Sequence, residues 1–280
     1  MTGAINPQQI SAGLVNVPLN QPEFLKLQQL IHAIAGIHMT EAKKPLISGR
    51  LYRRLRHHRL NSYADYLSLL ARDQNELKIA VDLLTTNETH FFREPKHFAW
   101  LQQQVLPAVS RHQKFRCWSA ASSSGQEAYS LAMLLHDQLG EGGWEVYASD
   151  ISSKVLDTAR AGLYPINLAE EIPPAYLKTY CLKGVGPQEG FFKMVPILMS
   201  KVRFDNINLN EKLPDVGRFD VIFLRNILIY FQQETKRAVV ARLLEKLKPG
   251  GYLVIGHSET LYGMFSELKP LGPSIYQKMG

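Results

Sequence analysis

The chain contains little cysteine and no long apolar run. Its 280 residues include two cysteines, Cys117 and Cys181, too few for a disulfide framework or a zinc site, so we expect free thiols in a reducing compartment. No apolar run approaches the roughly 18 residues of a membrane-spanning helix, and the N-terminus lacks a basic region followed by an apolar stretch. We therefore predict a cytoplasmic protein without membrane insertion. The nine histidines have no metal-ligand spacing, so no metal site is predicted.

The composition is that of a soluble globular protein, with 45% hydrophobic and 20% charged residues. The length allows two domains, each with its own core. The net charge of +7 has two interpretations. It serves solubility alone, or it serves an acidic partner, either nucleic acid or an acidic protein surface.

Sequence patterns divide the chain into several ranges. Residues 1–20 are polar and predict a flexible tail, whereas residues 21–95 carry apolar side chains at helical spacing and predict an N-terminal helical domain. Residues 96–110 predict a linker helix. Strands and helices alternate over residues 111–280, which favours an α/β fold with a mostly parallel sheet. Glycine and proline turns at about 173–200 predict a small inserted β-subdomain.

Individual elements of the α/β region can also be predicted. Helices are expected to begin near Gly125, Ser153 and Gln233. An antiparallel hairpin is expected between GYLVIG and a strand near residues 274–278. The predicted strands are FRCWSA, EVYASD, VRFDNIN, FDVIFLR and GYLVIG.

The stretch FRCWSAASSSGQEAYSLAMLL, residues 115–135, predicts a strand, a small-residue turn and a helix that opens at Gly125. Such a turn points backbone N–H groups and a positive helix end at a ligand. Asp150 ends the next strand, where an acid can accept hydrogen bonds from ribose hydroxyls. A dinucleotide fingerprint has three glycines and this turn has one, so a nucleoside ligand without phosphates fits better than a pyrophosphate. The alternative is an ordinary α/β turn with no ligand.

A basic helix is predicted between Glu41 and Asp65. It is either a solvated charged face or a contact for an acidic surface. Seven basic residues occur there without an interleaved acid: Lys43, Lys44, Arg50, Arg53, Arg54, Arg56 and Arg59.

Four segments resemble the CheR family of bacterial chemoreceptor glutamate methyltransferases. The resemblance covers nearly the whole chain from about Gln21 onward. The segments, in chain order, are TTNETHFFRE (85–94), FRCWSAASSSGQEAYSLAMLL (115–135), FDVIFLRNILIYF (219–231) and LKPGGYLVIGHSE (247–259).

The resemblance implies a Rossmann-like class I methyltransferase fold with a mostly parallel seven-stranded sheet, an all-α N-terminal domain and a small β-subdomain insert. The implied cofactor is S-adenosylmethionine, with S-adenosylhomocysteine as product. The implied substrates are glutamates on the helical cytoplasmic bundle of a chemoreceptor, which become methyl esters. Some members also bind a receptor's C-terminal pentapeptide at the β-subdomain. We expect a monomer.

The resemblance also implies roles for individual residues. The family positions that contact the cofactor match Asn87, Thr89, Arg93, Glu127 and Asn208, with Leu209 as apolar cover. Arg93 would pair with the carboxylate of the methionine moiety or of the substrate. From their places at strand ends, Asp150, Arg225 and Asn226 are expected to contact the cofactor as well, and Tyr230 is expected to be a wall residue with a positioning role. The expected substrate contacts are Arg50, Arg53, Arg56 and Arg59 on the basic helix and Gly184, Gly186 and Gly190 in the insert. Arginines frequent in tail-binding members are replaced here by Lys183 and Lys193.

The chemistry explains why no catalytic base stands out in the sequence. A sulfonium methyl is already electrophilic, and a glutamate with a reference pKa of about 4.3 is already ionised at neutral pH. Alignment and desolvation are then sufficient.

Two other functions remain open at this point. One is a nucleic-acid methyltransferase, but Asn226 is followed by Ile227 and Leu228 instead of Pro-Pro, and no RNA-binding module is recognised, so we expect no nucleic acid partner. The other is a non-catalytic module that senses the cofactor or docks receptors. The family usually reads S-T-G-E-E-P-Y where this chain has Gln126 and Ala128, which leaves this function open.

Overall fold

A computed structural model describes residues 17–110 and 113–280. Most of the predicted tail lies outside these residues. The chain forms two compact units. The first contains the described residues up to Leu30 together with Met39–Leu84, and the second contains Ile31–His38 and Thr85–Gly280. Residues 85–95, which we predicted as part of the helical domain, thus belong to the second unit. None of the described helices combines the length and the apolar character needed to cross a membrane.

The first unit is helical. Asn20 and Glu23 begin α1 by reciprocal side-chain-to-backbone hydrogen bonds of 2.9 and 3.0 Å, and Ser62 caps α3 through the backbone N–H of Asp65. The buried faces carry apolar side chains such as Leu51. The helices are α1 Gln21–Ala35, whose residues from Ile31 onward belong to the second unit, α2 Lys44–His57, α3 Tyr63–Leu70 and α4 Gln74–Leu84.

A buried carboxylate links three helices of this unit. Glu76 on α4 accepts hydrogen bonds from Arg54 on α2 and from the Tyr66 hydroxyl on α3, at 2.9 and 2.7 Å. Burial alone would raise the pKa of Glu76, but the hydrogen bonds from Arg54, Tyr66 and His58 outweigh it and lower that pKa to about 2. Arg54, which the sequence places in the basic run, is therefore a structural residue.

The second unit is built on a seven-stranded sheet. Five strands are parallel, and the pairs at one edge are antiparallel, which confirms the predicted class I methyltransferase fold. The predicted antiparallel pairing of GYLVIG with the strand near residues 274–278 is also present, but these two strands do not form a hairpin, because an unpredicted strand at Leu268–Gly272 lies between them in the chain. The main-sheet strands are β1 Phe115–Ser119, β2 Trp144–Asp150, β6 Val202–Asn206, β7 Phe219–Leu224, β8 Leu247–Ile255, β9 Leu268–Gly272 and β10 Ile275–Lys278. Their order is β6-β2-β1-β7-β8-β10-β9.

Helices pack on both faces of this sheet, because neighbouring strand residues point to opposite sides. Cys117 belongs to one buried cluster, with residues of α6, and Trp118 belongs to the other, with residues of α10. The predicted linker helix begins as α5 and continues through a π-helical and a 3₁₀ turn to Ala108. The helices of this unit are α5 Lys96–Trp100, α6 Gln126–Leu139, α7 Ser153–Ala161, α8 Pro174–Tyr180, α9 Pro196–Met199 and α10 Gln233–Glu245.

A separate antiparallel sheet has the order β3-β5-β4. Two of its strands, β4 Cys181–Lys183 and β5 Phe191–Met194, lie within the predicted insert at 173–200. The third, β3 Leu163–Pro165, precedes that range. A three-residue strand directly after the helix-ending Gly162 is too short to show an alternating pattern, so the sequence analysis missed it.

Candidate active site

The turn between β1 and α6 is held in an unusual backbone conformation. Gly125 has φ of +94°, and a Cβ there would lie 2.8 Å from the Ala159 Cβ and 2.9 Å from the Tyr164 hydroxyl. Only glycine fits that position without rearrangement. Ser123 also has positive φ, +48°. This tight turn lies at the carboxyl edge of the sheet, where open α/β folds bind their ligands. The N–H groups of Ser122, Ser123 and Gly125 donate to the Ser149 oxygen, the Asp150 carboxylate and the Ser122 oxygen, so these backbone donors do not point at a ligand as predicted.

Asp150 lies at the end of β2 beside this turn. Its two carboxylate oxygens accept the backbone N–H groups of Ser123 and Ser152, each at 2.9 Å. Asp150 thus ends the strand at the sheet edge, where an acid can accept hydrogen bonds from ribose hydroxyls. The nearby Ser122 hydroxyl is buried without a hydrogen-bond partner among the described residues.

Arg225, directly after β7, is the best-connected charged group of the site. Its side chain is 1% exposed and donates to Glu127 at 2.8 Å and to Glu94 at 3.0 Å. It also donates to the backbone oxygen of Arg93. Glu127 receives a further hydrogen bond of 2.7 Å from Ser119. Two carboxylates and one guanidinium leave this cluster with a net charge of −1, which suits a cationic ligand.

The charges around Arg225 have fixed states near neutral pH. Burial raises the pKa of Glu94, but hydrogen bonds and charge from Asn226, Arg225 and His257 prevail and lower it below its usual value. Burial, followed by the charge of Arg225, lowers the pKa of His97 to about 4. Glu94 is therefore ionised and His97 neutral.

Glu94, His97 and His257 form a potential metal-ligand group within the described residues. Their ligand atoms lie within 4.8 Å of one another. The Glu94 carboxylate, however, is already held by Arg225 and, at 3.1 Å, by Asn226. A cation bound here would face the Arg225 charge, so the cluster fits an internal ion pair better than a metal centre.

The segment from Asn87 to Glu94 borders the same cluster. The backbone oxygen of Asn87 accepts the Ser123 hydroxyl at 2.8 Å, while its side chain donates to Thr85 at 3.3 Å. Arg93 donates one guanidinium nitrogen to the backbone oxygen of Glu88 at 3.0 Å. Thr89 is half-buried in this segment. Asn87 therefore contacts the β1–α6 turn, and cofactor contacts by Asn87, Thr89 and Arg93 remain predictions.

Asn208 and Leu209 follow β6. The Asn208 amide donates to the backbone oxygen of Ile34 at 2.7 Å and to Glu211 at 2.8 Å, and its oxygen accepts the N–H of Asn210 at 3.0 Å. Recognition of adenine by this amide, which remains a prediction, would require these bonds to be replaced. Leu209 is buried.

Tyr230 ends the 3₁₀ turn after β7 and is half-buried. Its backbone oxygen accepts the N–H of His38 at 2.8 Å. Its predicted role as an orienting residue remains a prediction.

The predicted substrate contacts fall into two groups, one in each unit. Arg53, Arg56 and Arg59 are exposed in the first unit, and Arg50 donates to the backbone oxygen of Leu83 at 3.1 Å. Gly184, Gly186 and Gly190 are in the three-stranded sheet region of the second unit.

Two acids of the site, Glu94 and Glu259, were not predicted from the sequence. Each ends a segment that carried the family resemblance, TTNETHFFRE and LKPGGYLVIGHSE. An acid that follows an apolar or aromatic run after one to three intervening residues is a signal for both, because such an acid needs a partner when it is buried.

Comparisons with known proteins identify the family. The CheR methyltransferase all-alpha domain matches residues 22–85, and the CheR methyltransferase SAM binding domain matches residues 87–275. The chain belongs to the CheR methyltransferase family.

Curated CheR-family relatives match over almost their whole length. The chain is 40% identical to the chemotaxis protein methyltransferase of Salmonella typhimurium, over 92% of this chain and 90% of that protein. It is 40% identical to the protein of the same name from Escherichia coli, over 92% and 91%. It is 38% identical to chemotaxis protein methyltransferase 2 of Pseudomonas aeruginosa, over 91% and 92%.

The cofactor of this CheR-family chain is therefore S-adenosylmethionine (SAM), and the residues at the sheet edge fit it. Asp150 ends β2 at the position where an acid can accept ribose hydroxyls, and Glu94 and Glu127 hold two carboxylates around Arg225. The Nε of Arg225 is buried without a partner among the described residues and can donate to a ligand. When bound, SAM supplies a methyl group on a cationic sulfur.

Replacing Asp150 tests this assignment. Asp150→Ala should weaken binding of S-adenosylhomocysteine by about 1.5–3 kcal/mol, the range for a lost hydrogen bond to a charged group. Asp150→Asn keeps one acceptor oxygen and should lose less. Isothermal titration calorimetry measures both affinities.

Asp220 provides a matched control for Asp150. It lies near the amino end of β7, where it accepts the N–H of Arg116 at 2.8 Å. Asp220→Ala should leave the affinity unchanged. An Asp150→Ala protein that binds with wild-type affinity would show that the ribose contact lies elsewhere.

Proposed function

We propose that this methyltransferase transfers the methyl group of SAM to glutamate side chains on the cytoplasmic helices of chemoreceptors, giving glutamate methyl esters. The observation that carries this proposal is the exposed arginine row on α2 and just after it. Arg53, Arg56 and Arg59 are exposed and have no ion-pair partner among residues 17–110 and 113–280. Unpaired cations in a row favour an acidic partner. The relatives' name, chemotaxis protein methyltransferase, indicates which acidic partner to test.

The chemistry of the site supports a carboxylate acceptor. A glutamate is ionised at neutral pH, so its oxygen needs no base to attack the methyl carbon. The site residues then have to align and desolvate the two reactants. Arg93 is suited to hold the acceptor, because one nitrogen binds the Glu88 carbonyl and the remaining N–H groups have no partner among the described residues.

The proposed reaction has a chemical signature. Incubation of the protein with methyl-labelled SAM and a receptor cytoplasmic fragment should label the fragment, and mild base should release the label as methanol. Methyl esters hydrolyse under these conditions and N-methyl groups do not. Base-stable label on the receptor fragment, or label on nucleic acid instead, would contradict the proposal.

Charge reversal on the basic helix tests the substrate contact. Arg53→Glu combined with Arg56→Glu should strongly reduce methylation of the fragment and leave cofactor affinity intact, because both side chains are exposed in the first unit. Wild-type activity should likewise fall at high salt, since exposed charges are screened beyond roughly 8 Å at physiological ionic strength.

A control with the same change in charge separates local from global effects. Lys212 and Arg218 are exposed in the second unit. The double variant Lys212→Glu with Arg218→Glu also replaces two positive charges by two negative charges. This protein should methylate normally. If both double variants behave alike, the α2 arginines are only a solvated surface.

The three-stranded sheet supports a second contact, with a receptor's C-terminal tail. In the order β3-β5-β4, strand β4 pairs with β5 alone, so its other edge can accept an added strand. The flanking apolar side chains Leu182 and Val185 are 51% and 77% exposed. Lys183 and Lys193 are exposed beside them and suit an acidic tail.

Gly184 provides a precise test of tail binding. A Cβ at this position would lie 2.0 Å from the Gln188 backbone oxygen, so Gly184→Ala should distort the turn that follows β4. A receptor tail peptide should bind the wild type with a dissociation constant on the order of micromolar and bind this variant much more weakly. Gly142→Ala, where no atom lies within 4 Å, serves as control. Absence of binding to the wild type would identify a tail-independent enzyme.

A further inference from the structure

Glu259 connects two loops at the carboxyl edge of the sheet. It follows β8 and is 5% exposed. Its Oε2 accepts the backbone N–H groups of Gly256 at 2.7 Å and Asn226 at 3.0 Å, and its Oε1 accepts that of Ile229 at 3.2 Å. Three backbone donors from the turns after β7 and β8 therefore converge on one buried carboxylate.

The Asn226 backbone is in a conformation that needs such support. Its φ is +58°, which is uncommon for a residue other than glycine. Its side chain donates to Glu94 at 3.1 Å, and the preceding residue is the buried Arg225. The position of Asn226 thus fixes the junction between the Arg225 cluster and the turn that leads to Tyr230.

Gly256 is the second part of this contact. A Cβ at Gly256 would lie 2.7 Å from the Asn226 Nδ2, 2.9 Å from the Glu259 Oε2 and 3.0 Å from the Asn226 nitrogen. The close approach of the two loops leaves no room for a side chain. The sequence GHSE after β8 therefore places a small residue and an acid where both are required.

We propose that Glu259 is a positioning residue of the cofactor site, which holds Arg225 and Asn226 in the geometry that binds SAM. The inference deepens the SAM binding of the family and rests on the predicted cofactor contacts of Arg225 and Asn226. It does not depend on the identity of the methyl acceptor. A carboxylate can accept all three N–H groups, whereas a glutamine amide would turn its own NH₂ toward at least one of them.

Two substitutions test the role by different means. Glu259→Gln keeps the size of the side chain. It places the glutamine NH₂ group against at least one of the backbone N–H groups that donate to the carboxylate. Gly256→Ala keeps the carboxylate and separates it from Asn226. Each should weaken S-adenosylhomocysteine binding about tenfold, as expected for one hydrogen bond to a charged acceptor. Calorimetry measures the affinity, and cooperative thermal unfolding establishes that the variant is folded.

Kinetics separates positioning from a structural role. Loss of a positioning residue changes the geometry of the cofactor site in every folded enzyme molecule. KM for SAM should therefore rise together with the dissociation constant, and kcat at saturating SAM should fall by a smaller factor than KM rises. A residue needed only for folding would lower the fraction of active enzyme, and hence kcat, and would leave KM and the dissociation constant unchanged.

Matched controls exist for both variants. Glu76→Gln removes another buried carboxylate with several hydrogen bonds, in the first unit, and should lower stability without changing cofactor affinity. Gly49→Ala adds a Cβ that meets nothing within 4 Å inside α2, so it should stabilise that helix slightly and leave the cofactor affinity unchanged. Wild-type affinity and KM in a folded Glu259→Gln protein would overturn the proposal. If that protein does not fold, Gly256→Ala decides, and if neither folds, the contact is a folding determinant and the positioning role is overturned.

Discussion

The arrangement of the active site depends on the buried guanidinium of Arg225. This group bridges Glu127, which opens α6 after β1, and Glu94, which precedes α5. It therefore ties the end of β7 to the two segments that form the walls of the site. An isolated buried charge would cost far more than the protein's net stability, so the three groups have to be present together. Because directional hydrogen bonds of 2.8 and 3.0 Å join the three side chains, their relative positions are restricted more than apolar packing would restrict them.

The parallel sheet explains why residues so distant in sequence meet at this point. Arg225 and Glu94 are 131 positions apart, and Arg225 and Glu127 are 98 apart. In the order β6-β2-β1-β7-β8, the central strands end at one edge, and every loop that leaves that edge can contribute a side chain. The Glu259 contact uses the same geometry, since it joins the loops after two neighbouring strands.

Much of this architecture could be predicted from the sequence because the signals are local. The apolar runs of β1, β2, β7 and β8 and the small-residue turn before Gly125 follow from short patterns, and the order of the four family segments implies the fold. The partners of buried charges could not be predicted in the same way. Arg54 lies in a run of basic residues that suggests a uniform exposed face, yet it pairs with Glu76 on another helix. Strand β3 could not be predicted because it is only three residues long and its partner, β5, lies beyond α8 in the chain.

The charge states of the site fit a reaction that moves no proton. Glu94 is kept ionised by Arg225 and Asn226, and His97 is kept neutral by burial and by the charge of Arg225. A site that worked as a general base would need a group poised to change its charge near neutral pH. Here Glu94 stays ionised and His97 stays neutral, and the buried groups make their hydrogen bonds to backbone atoms and to one another. Such a site contributes geometry and a fixed electrostatic field, which suits the proposed transfer of an already electrophilic methyl group to an ionised carboxylate.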